Sequence, residues 1–177
     1  VAGVATFSDL RINKAFALHR LSAMANGIPQ TTYSDEFAIS PAAATQLSFP
    51  SQPAATTPGA PISVRVDAQD VFQNHAAAFT GDVTVAIGAN PGGGALTGTT
   101  TVAAVAGSAT FTDLRIDRPG AGYTLVASAT ELSSAMSPTF GVASPVVTSV
   151  TVTPDTVIAV PIYPNVALRA TLKDASG

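Results

Sequence analysis

The 177-residue chain contains no cysteine and no tryptophan, and only 11% of its residues are charged. Without cysteine, neither a disulfide framework nor a thiolate metal site is open to it. The net charge of −3 comes with no Lys/Arg cluster, which argues against a nucleic-acid or anionic-membrane surface. No apolar run reaches the roughly 18 residues of a membrane helix, so no membrane insertion is expected in this segment. N-glycosylation sequons are missing too: none of Asn13, Asn26, Asn74, Asn90 and Asn165 is followed by the required pattern. With three tyrosines as the only large amphipathic rings, a sugar-stacking platform has little to be built from.

What is abundant is Ala, Val, Thr, Gly and Pro. That is too apolar for a disordered tail, and small or β-branched residues punctuated by Gly and Pro suit short strands and tight turns. The strongest signal is an internal repeat. Residues 1–25 (VAGVATFSDLRINKAFALHRLSAMA) align with residues 105–129 (VAGSATFTDLRIDRPGAGYTLVASA) after a shift of 104 positions, with fourteen of the twenty-five identical. The match includes the whole of Asp9-Leu10-Arg11-Ile12 against Asp113-Leu114-Arg115-Ile116. A fixed period near the commonest domain size means an array of similar domains. The chain starts in mid-repeat and reads as a segment of a longer protein.

The period divides the chain into residues 1–40, the C-terminal half of one repeat, residues 41–143, a complete repeat, and residues 144–177, the opening of a third. In the first part, residues 4–12 alternate as a half-buried strand with Phe7 and Leu10 as core anchors, and residues 18–25 and 36–39 read as two more. In the second, residues 46–49 begin a strand that Pro50 and Pro53 interrupt. Proline lacks the ladder donor, so this strand belongs at an edge and can switch sheets at the break. Ile62, Val64 and Val66 then alternate strictly inward. Further strands are expected at 79–87, around Gly98, and at 109–116, 123–128 and 139–142. Seven to eight short strands with frequent turn signals and no helical period are the pattern of an all-β, antiparallel sandwich; the short connections would also suit a barrel, but the Pro-broken edge and tandem repetition favour the sandwich. In the third part Pro154 and Asp174 lie 104 positions after Pro50 and Asp70.

The stretch FTGDVTVAIGANPGGGALTGTTTVAAVAGSATFTDLRIDRPGAGYTLVASA resembles bacterial immunoglobulin-like repeats of very large secreted or cell-surface proteins. The tail, SVTVTPDTVIAVPIYPNVALRATLKDASG, resembles the start of a group 2 (invasin/intimin-type) repeat. The resemblance implies a Greek-key sandwich serving as a spacer or stalk, often in adhesins or beside secreted enzymes, outside the cell or on its surface. The sequence departs from the pattern where Phe16, Leu18 and His19 replace Gly120, Gly122 and Tyr123. A second departure is Pro161-Ile162-Tyr163-Pro164, where such repeats carry a Gly-containing turn.

No catalytic, cofactor-binding or metal-ligating residue is assigned. Tyr123, after Asp117-Arg118-Pro119-Gly120-Ala121-Gly122, has the setting of a tyrosine corner, its phenol bonding back to upstream backbone; His19 fills the same slot. Asp67, Asp70, Asn74 and Asp82 could offer oxygens to Ca²⁺. The spacing of a dedicated loop is absent, and Asx turns are the preferred reading. Asp113 and Asp117 read as solvated strand-end carboxylates. Gly92-Gly93-Gly94 lacks the Lys-Ser/Thr of a phosphate cradle and reads as a free loop tip. His75 has no nucleophile in a recognisable elbow.

Three functions fit. The first is a structural repeat, a stalk or adhesion scaffold whose partners are neighbouring repeats and a cell-surface or carbohydrate ligand. The second is an accessory or carbohydrate-binding module of a secreted enzyme. The third is strand complementation between subunits through the two half repeats.

Overall fold

The computed structural model describes residues 3–144, so the half repeat expected at 144–177 lies outside the described residues beyond Ser144. The chain divides into two compact units, Val1–Ala143 and Ser144–Gly177. Every regular element among the described residues is a strand.

The first forty residues form two small antiparallel ladders. Strand β1 (Phe16–His19) pairs with β4 (Phe37–Ile39), and β2 (Ser22–Ala25) pairs with β3 (Ile28–Tyr33). The strand expected at 18–25 is therefore two strands parted at Arg20-Leu21, and β3 is an addition to the sequence reading. The β2–β3 turn holds Gly27 at a φ of 81°, a conformation that costs glycine least. Neither ladder has a second layer over it, and Met24 remains 79% exposed.

The rest of the unit is a two-sheet sandwich. Its strands are β5 (Gln46–Ser48), β6 (Ile62–Gln69), β7 (Asp82–Ile87), β8 (Leu96–Thr97), β9 (Thr101–Ala103), β10 (Ser108–Ile116), β11 (Gly120–Tyr123), β12 (Leu125–Ser128), β13 (Ala135–Met136) and β14 (Phe140–Val142). One sheet runs β5-β6-β10-β8 and the other β13-β12-β7-β9. The pair β11-β14 continues the second sheet past Thr124, which interrupts β11 and β12. Ile62, Val64 and Val66 alternate inward as expected and meet Val83, Val85, Leu125 and Ala127 across the core. Each fully buried Val, Leu or Phe contributes roughly 1.5–3 kcal/mol.

Two departures from simple alternation follow from the sequence. In β10 the core residues Phe111 and Leu114 are three apart, not two. The register with β6 shifts between them, a bulge that keeps both side chains inside. The edge strand β5 leaves its sheet at the Pro50–Pro53 break, and Thr56 then bridges in parallel to Val142 of the other sheet. The N–H of Thr56 donates to Gly141 O (3.0 Å) and the N–H of Ala143 to Thr56 O (2.8 Å).

The two ends of the repeat lie at opposite poles. Gln46 pairs with Gln69 at the C-terminal end of β6. Val142 lies beside Thr56, and Gly59 N–H donates to Ile116 O near the Ile62 end. The eight residues of β6 separate those poles by roughly 23 Å at ~3.3 Å per residue.

Residues 4–12 are a correction. They join no strand among the described residues, and Phe7 and Leu10 are 69% and 63% exposed. Their counterparts Phe111 and Leu114 are buried in β10 because β6 pairs along that strand. Shifted back by 104, the equivalent of β6 falls ahead of Val1, outside this sequence. An apolar pattern without a ladder partner and an opposing sheet has nothing to fold against.

Candidate functional site

The most connected polar site lies where the first forty residues meet the sandwich. After β6 the chain folds back on Asp70, whose Oδ1 accepts the N–H groups of Phe72 and Asn74, both at 2.9 Å. Asp70 N–H donates to Asn74 O (2.9 Å) and Gln73 N–H to Asp70 O (3.0 Å), closing the loop with Gln73 at a φ of 63°. This is the Asx-type turn the residue types favour.

The loop then reaches outward. Asp70 Oδ2 accepts the N–H of Ala42 (3.0 Å) and an amide hydrogen of Asn74 (2.9 Å). Asn74 Nδ2 also donates to Asn13 O (2.8 Å), while its Oδ1 accepts the Ala15 N–H (2.9 Å). Two buried side chains thus tie the loop to residues 13–15 and to the start of the repeat. Burial alone would raise the Asp70 pKa, but the Asn74 amide and the backbone N–H groups of Asn74, Ala42 and Phe72 outweigh it, holding the carboxyl at about 2.

This geometry uses the proposed Ca²⁺ oxygens for other work. Four N–H groups occupy the two Asp70 oxygens. Asp67 is held by Arg65 (2.6 and 2.9 Å) and by the Ser108 hydroxyl (2.7 Å). Among the described residues no three His, Cys, Asp or Glu side chains gather as a metal site.

Tyr123 makes the expected corner. Its ring is fully buried, its hydroxyl donates to Arg118 O (2.9 Å), and it tilts against Phe140 at 6.1 Å between centroids. His19 makes the equivalent bond five residues upstream, Nε2 to Lys14 O at 2.9 Å. Because a carbonyl only accepts, Nε2 carries the proton. The ring sits between Phe16 and Phe37, 6.0 and 5.9 Å away.

The glycine loop corrects the sequence reading of a free tip. A Cβ on Gly92 would collide with Pro119 O and the Tyr123 hydroxyl, one on Gly94 would lie 3.0 Å from that hydroxyl, and one on Gly120 2.9 Å from the Tyr123 ring. Within the loop itself only Gly93 has positive φ (62°). The loop is a lid over the corner, further closed by Asn90, which exchanges two 2.8 Å bonds with Gly94.

The remaining candidates brace turns. Asp113, at the β10 bulge, accepts the Thr99 N–H (3.0 and 3.1 Å) and hydroxyl (2.9 Å), and these bonds, the backbone one first, hold its carboxyl below the usual range. Asp117 accepts the Ala95 N–H (2.7 Å). Both do more than the solvated role expected of them. His75 bonds Ala106 O through Nε2 (2.8 Å), pinning the Asp70 loop to the turn between β9 and β10. Sequence reasoning missed the backbone partners Asn13, Ala15 and Ala42; the one available signal was the recurrence of Asp70 as Asp174. An open cleft of about 560 Å³ lies beside this junction, lined by Lys14, Phe16, Ile39, Asn74 and His75 among others.

No family model matches the chain, and no curated protein does. Among solved structures, a β-glycosidase from Bacteroides vulgatus is similar at 15% identity and a TM-score of 0.44, over 68% of this chain and 17% of that one. A β-glucuronidase from Parabacteroides merdae is similar at 20% identity and a TM-score of 0.37, over 66% and 15%. The chain spans about a sixth of the length of these neighbours. A likeness at this level bears on neither activity nor ligand.

Proposed function

We propose that this chain is a load-bearing segment of a tandem array of immunoglobulin-like repeats, a stalk or spacer in a large extracellular bacterial protein. The observation that carries the reading is the path of the chain through the sandwich. It comes in at the Gln69 pole, goes out at the Ile62 pole, and its opening and closing stretches are tied by two parallel bridges, Gln46–Ser133 and Thr56–Val142. Besides the Thr56–Val142 bridge, Leu47 N–H donates to Ser133 O (3.0 Å) and Ser133 N–H to Thr45 O (2.9 Å). Tension applied at opposite poles loads these bonds side by side in shear, so they break together rather than one at a time. The Asp70–Asn74 hub limits bending between one repeat and the next, as a spacer of fixed reach requires.

The test is single-molecule pulling on the 177-residue chain held by its ends. The sandwich should open in one cooperative event releasing roughly 340–370 Å of contour, about a hundred residues at ~3.3–3.6 Å each. Thr56→Pro, which removes one shear-loaded donor, should lower the opening force. Opening in several steps at negligible force would overturn the mechanical reading and favour an accessory binding module.

A further inference from the structure

We propose that Asn26-Gly27, in the turn between β2 and β3, is a self-modifying site: in the folded chain the Asn26 amide is lost as ammonia to attack by the main chain, leaving aspartate and isoaspartate. The reaction needs a side-chain amide free to turn, a following N–H that nothing shields, and access for water. Among the asparagines of the described residues, only Asn26 combines them.

The turn lies between the paired residues Ala25 and Ile28, and both of its central residues are exposed. Asn26 keeps a negative φ and Gly27 takes 81°, the sign pattern of a type II turn. Neither the Gly27 N–H nor the Asn26 side chain bonds any described residue. Nothing lies within 4 Å of the place a Cβ on Gly27 would occupy, so the nitrogen stands open. A type II turn also fits the twist of a hairpin poorly, and the β2–β3 register shifts between Ala23 and Ala25.

The complete repeat shows that this turn belongs at the surface. Its counterpart 104 positions later is Thr130-Glu131, again exposed, with Glu131 at a φ of 63° and Leu132 N–H donating to Ala129 O (3.4 Å). The backbone recurs while the chemistry does not: threonine has no amide to lose, and the glutamate side chain crowds its own N–H. The other asparagines are blocked. Asn74 is buried with both ends of its amide bonded. Asn90 is tied to Gly94 and precedes Pro91, which has no N–H. Asn13 precedes Lys14, whose side chain crowds the nitrogen.

Hydroxide takes the Gly27 N–H proton, and the nitrogen attacks Asn26 Cγ. The new N–C bond forms as the Cγ–Nδ2 bond breaks, and ammonia leaves with a proton from water. Water then opens the cyclic imide at either carbonyl. One opening gives aspartate; the other gives isoaspartate, with an extra methylene in the main chain between Ala25 and Ile28. Either way a neutral amide becomes a carboxylate, taking the net charge from −3 to −4. The ammonia escapes, so the modified fraction records the age of the chain. This inference does not rest on the mechanical reading.

The experiment ages the full chain at neutral and mildly alkaline pH. Ion exchange separates the product, and peptide mapping by mass spectrometry locates it and tells isoaspartate from aspartate. One acidic species modified at residue 26 should accumulate, faster at the higher pH. Gly27→Glu, which copies the turn of the complete repeat, should slow it roughly tenfold or more, since only glycine leaves the nitrogen unshielded. The reciprocal pair Thr130→Asn and Glu131→Gly should create a second site in the sandwich. Ageing in urea should leave the rate at Asn26 almost unchanged. An Asn26 that reacts only in urea, modification spread evenly over the asparagines, a Gly27→Glu chain that ages like the wild type, or a transplanted pair that stays inert would each overturn the proposal.

Discussion

Replacing Tyr123 by Phe removes one hydroxyl and nothing else from the sandwich, which makes it a sharp probe of the corner. The lost bond, to Arg118 O at 2.9 Å, leaves a carbonyl that is only partly screened from water. About 1–2 kcal/mol of destabilisation is therefore expected. At ~4–8 °C per kcal/mol for a domain of this size, the melting temperature should fall by roughly 5–15 °C. Gly92→Ala attacks the same place from the other side, since its new methyl meets both Pro119 O and the Tyr123 hydroxyl; overpacking of this kind costs about 1–3 kcal/mol. If the glycine loop is a lid on the phenol, the two changes cannot be independent. Once the hydroxyl is gone, the methyl added at position 92 has one obstacle rather than two, and the double variant should be more stable than the sum of the singles by roughly 1 kcal/mol. Urea titrations of all four proteins measure the cycle. Strict additivity would refute the lid, and an unchanged Tyr123→Phe would refute the corner itself.

Two further outcomes follow from the same contacts. Leu114→Ala should cost the sandwich about 2–5 kcal/mol, whereas Leu10→Ala, the same substitution in the same motif one period earlier, should leave its unfolding midpoint within ~0.5 kcal/mol; equal effects would mean that residues 4–12 belong to the core. Asp70, held at about 2 in the folded chain against ~3.9 unfolded, stabilises fully above the unfolded value and progressively less as pH falls from there toward 2. Thermal melts across that window should show a shallower acid limb for Asp70→Asn, the remaining slope coming partly from Asp113. Parallel limbs would show that the hub's charge is irrelevant.

The core of the sandwich was legible because its long strands obey period two: Ile62, Val64 and Val66 announce their side of β6 without help from the rest of the chain. The Pro50–Pro53 break also carried its meaning, since a missing N–H is a local fact. Tyr123 was readable from the turn ahead of it. What stayed hidden depends on neighbours distant in sequence. Strand β13, two residues long, exists only because β12 lies beside it. Residues 4–12 carry every local mark of a strand and lack its partner. Gly92 and Gly94 look like freedom in sequence, and their constraint appears only when the Tyr123 hydroxyl is placed above them. The Asp70–Asn74 hub was half visible: the turn could be read from residue type, but three of its partners are backbone groups that no side-chain pattern encodes.

That last property has a consequence for how such an array can change over time. The hub grips only main-chain atoms beyond its own loop: across the junction the carbonyl of residue 13 and the N–H of residue 15, and at the start of its own repeat the N–H of residue 42. Any side chain is compatible with those three bonds except proline at 15 or 42, which has no hydrogen to give. The specificity of the joint resides wholly in the downstream repeat, in Asp70 and Asn74. On the proposed array reading, upstream repeats could drift, be duplicated or be exchanged for unrelated ones without renegotiating the contact. In such an array the joint would work as a universal coupling, one that accepts any upstream neighbour able to offer the same main-chain groups.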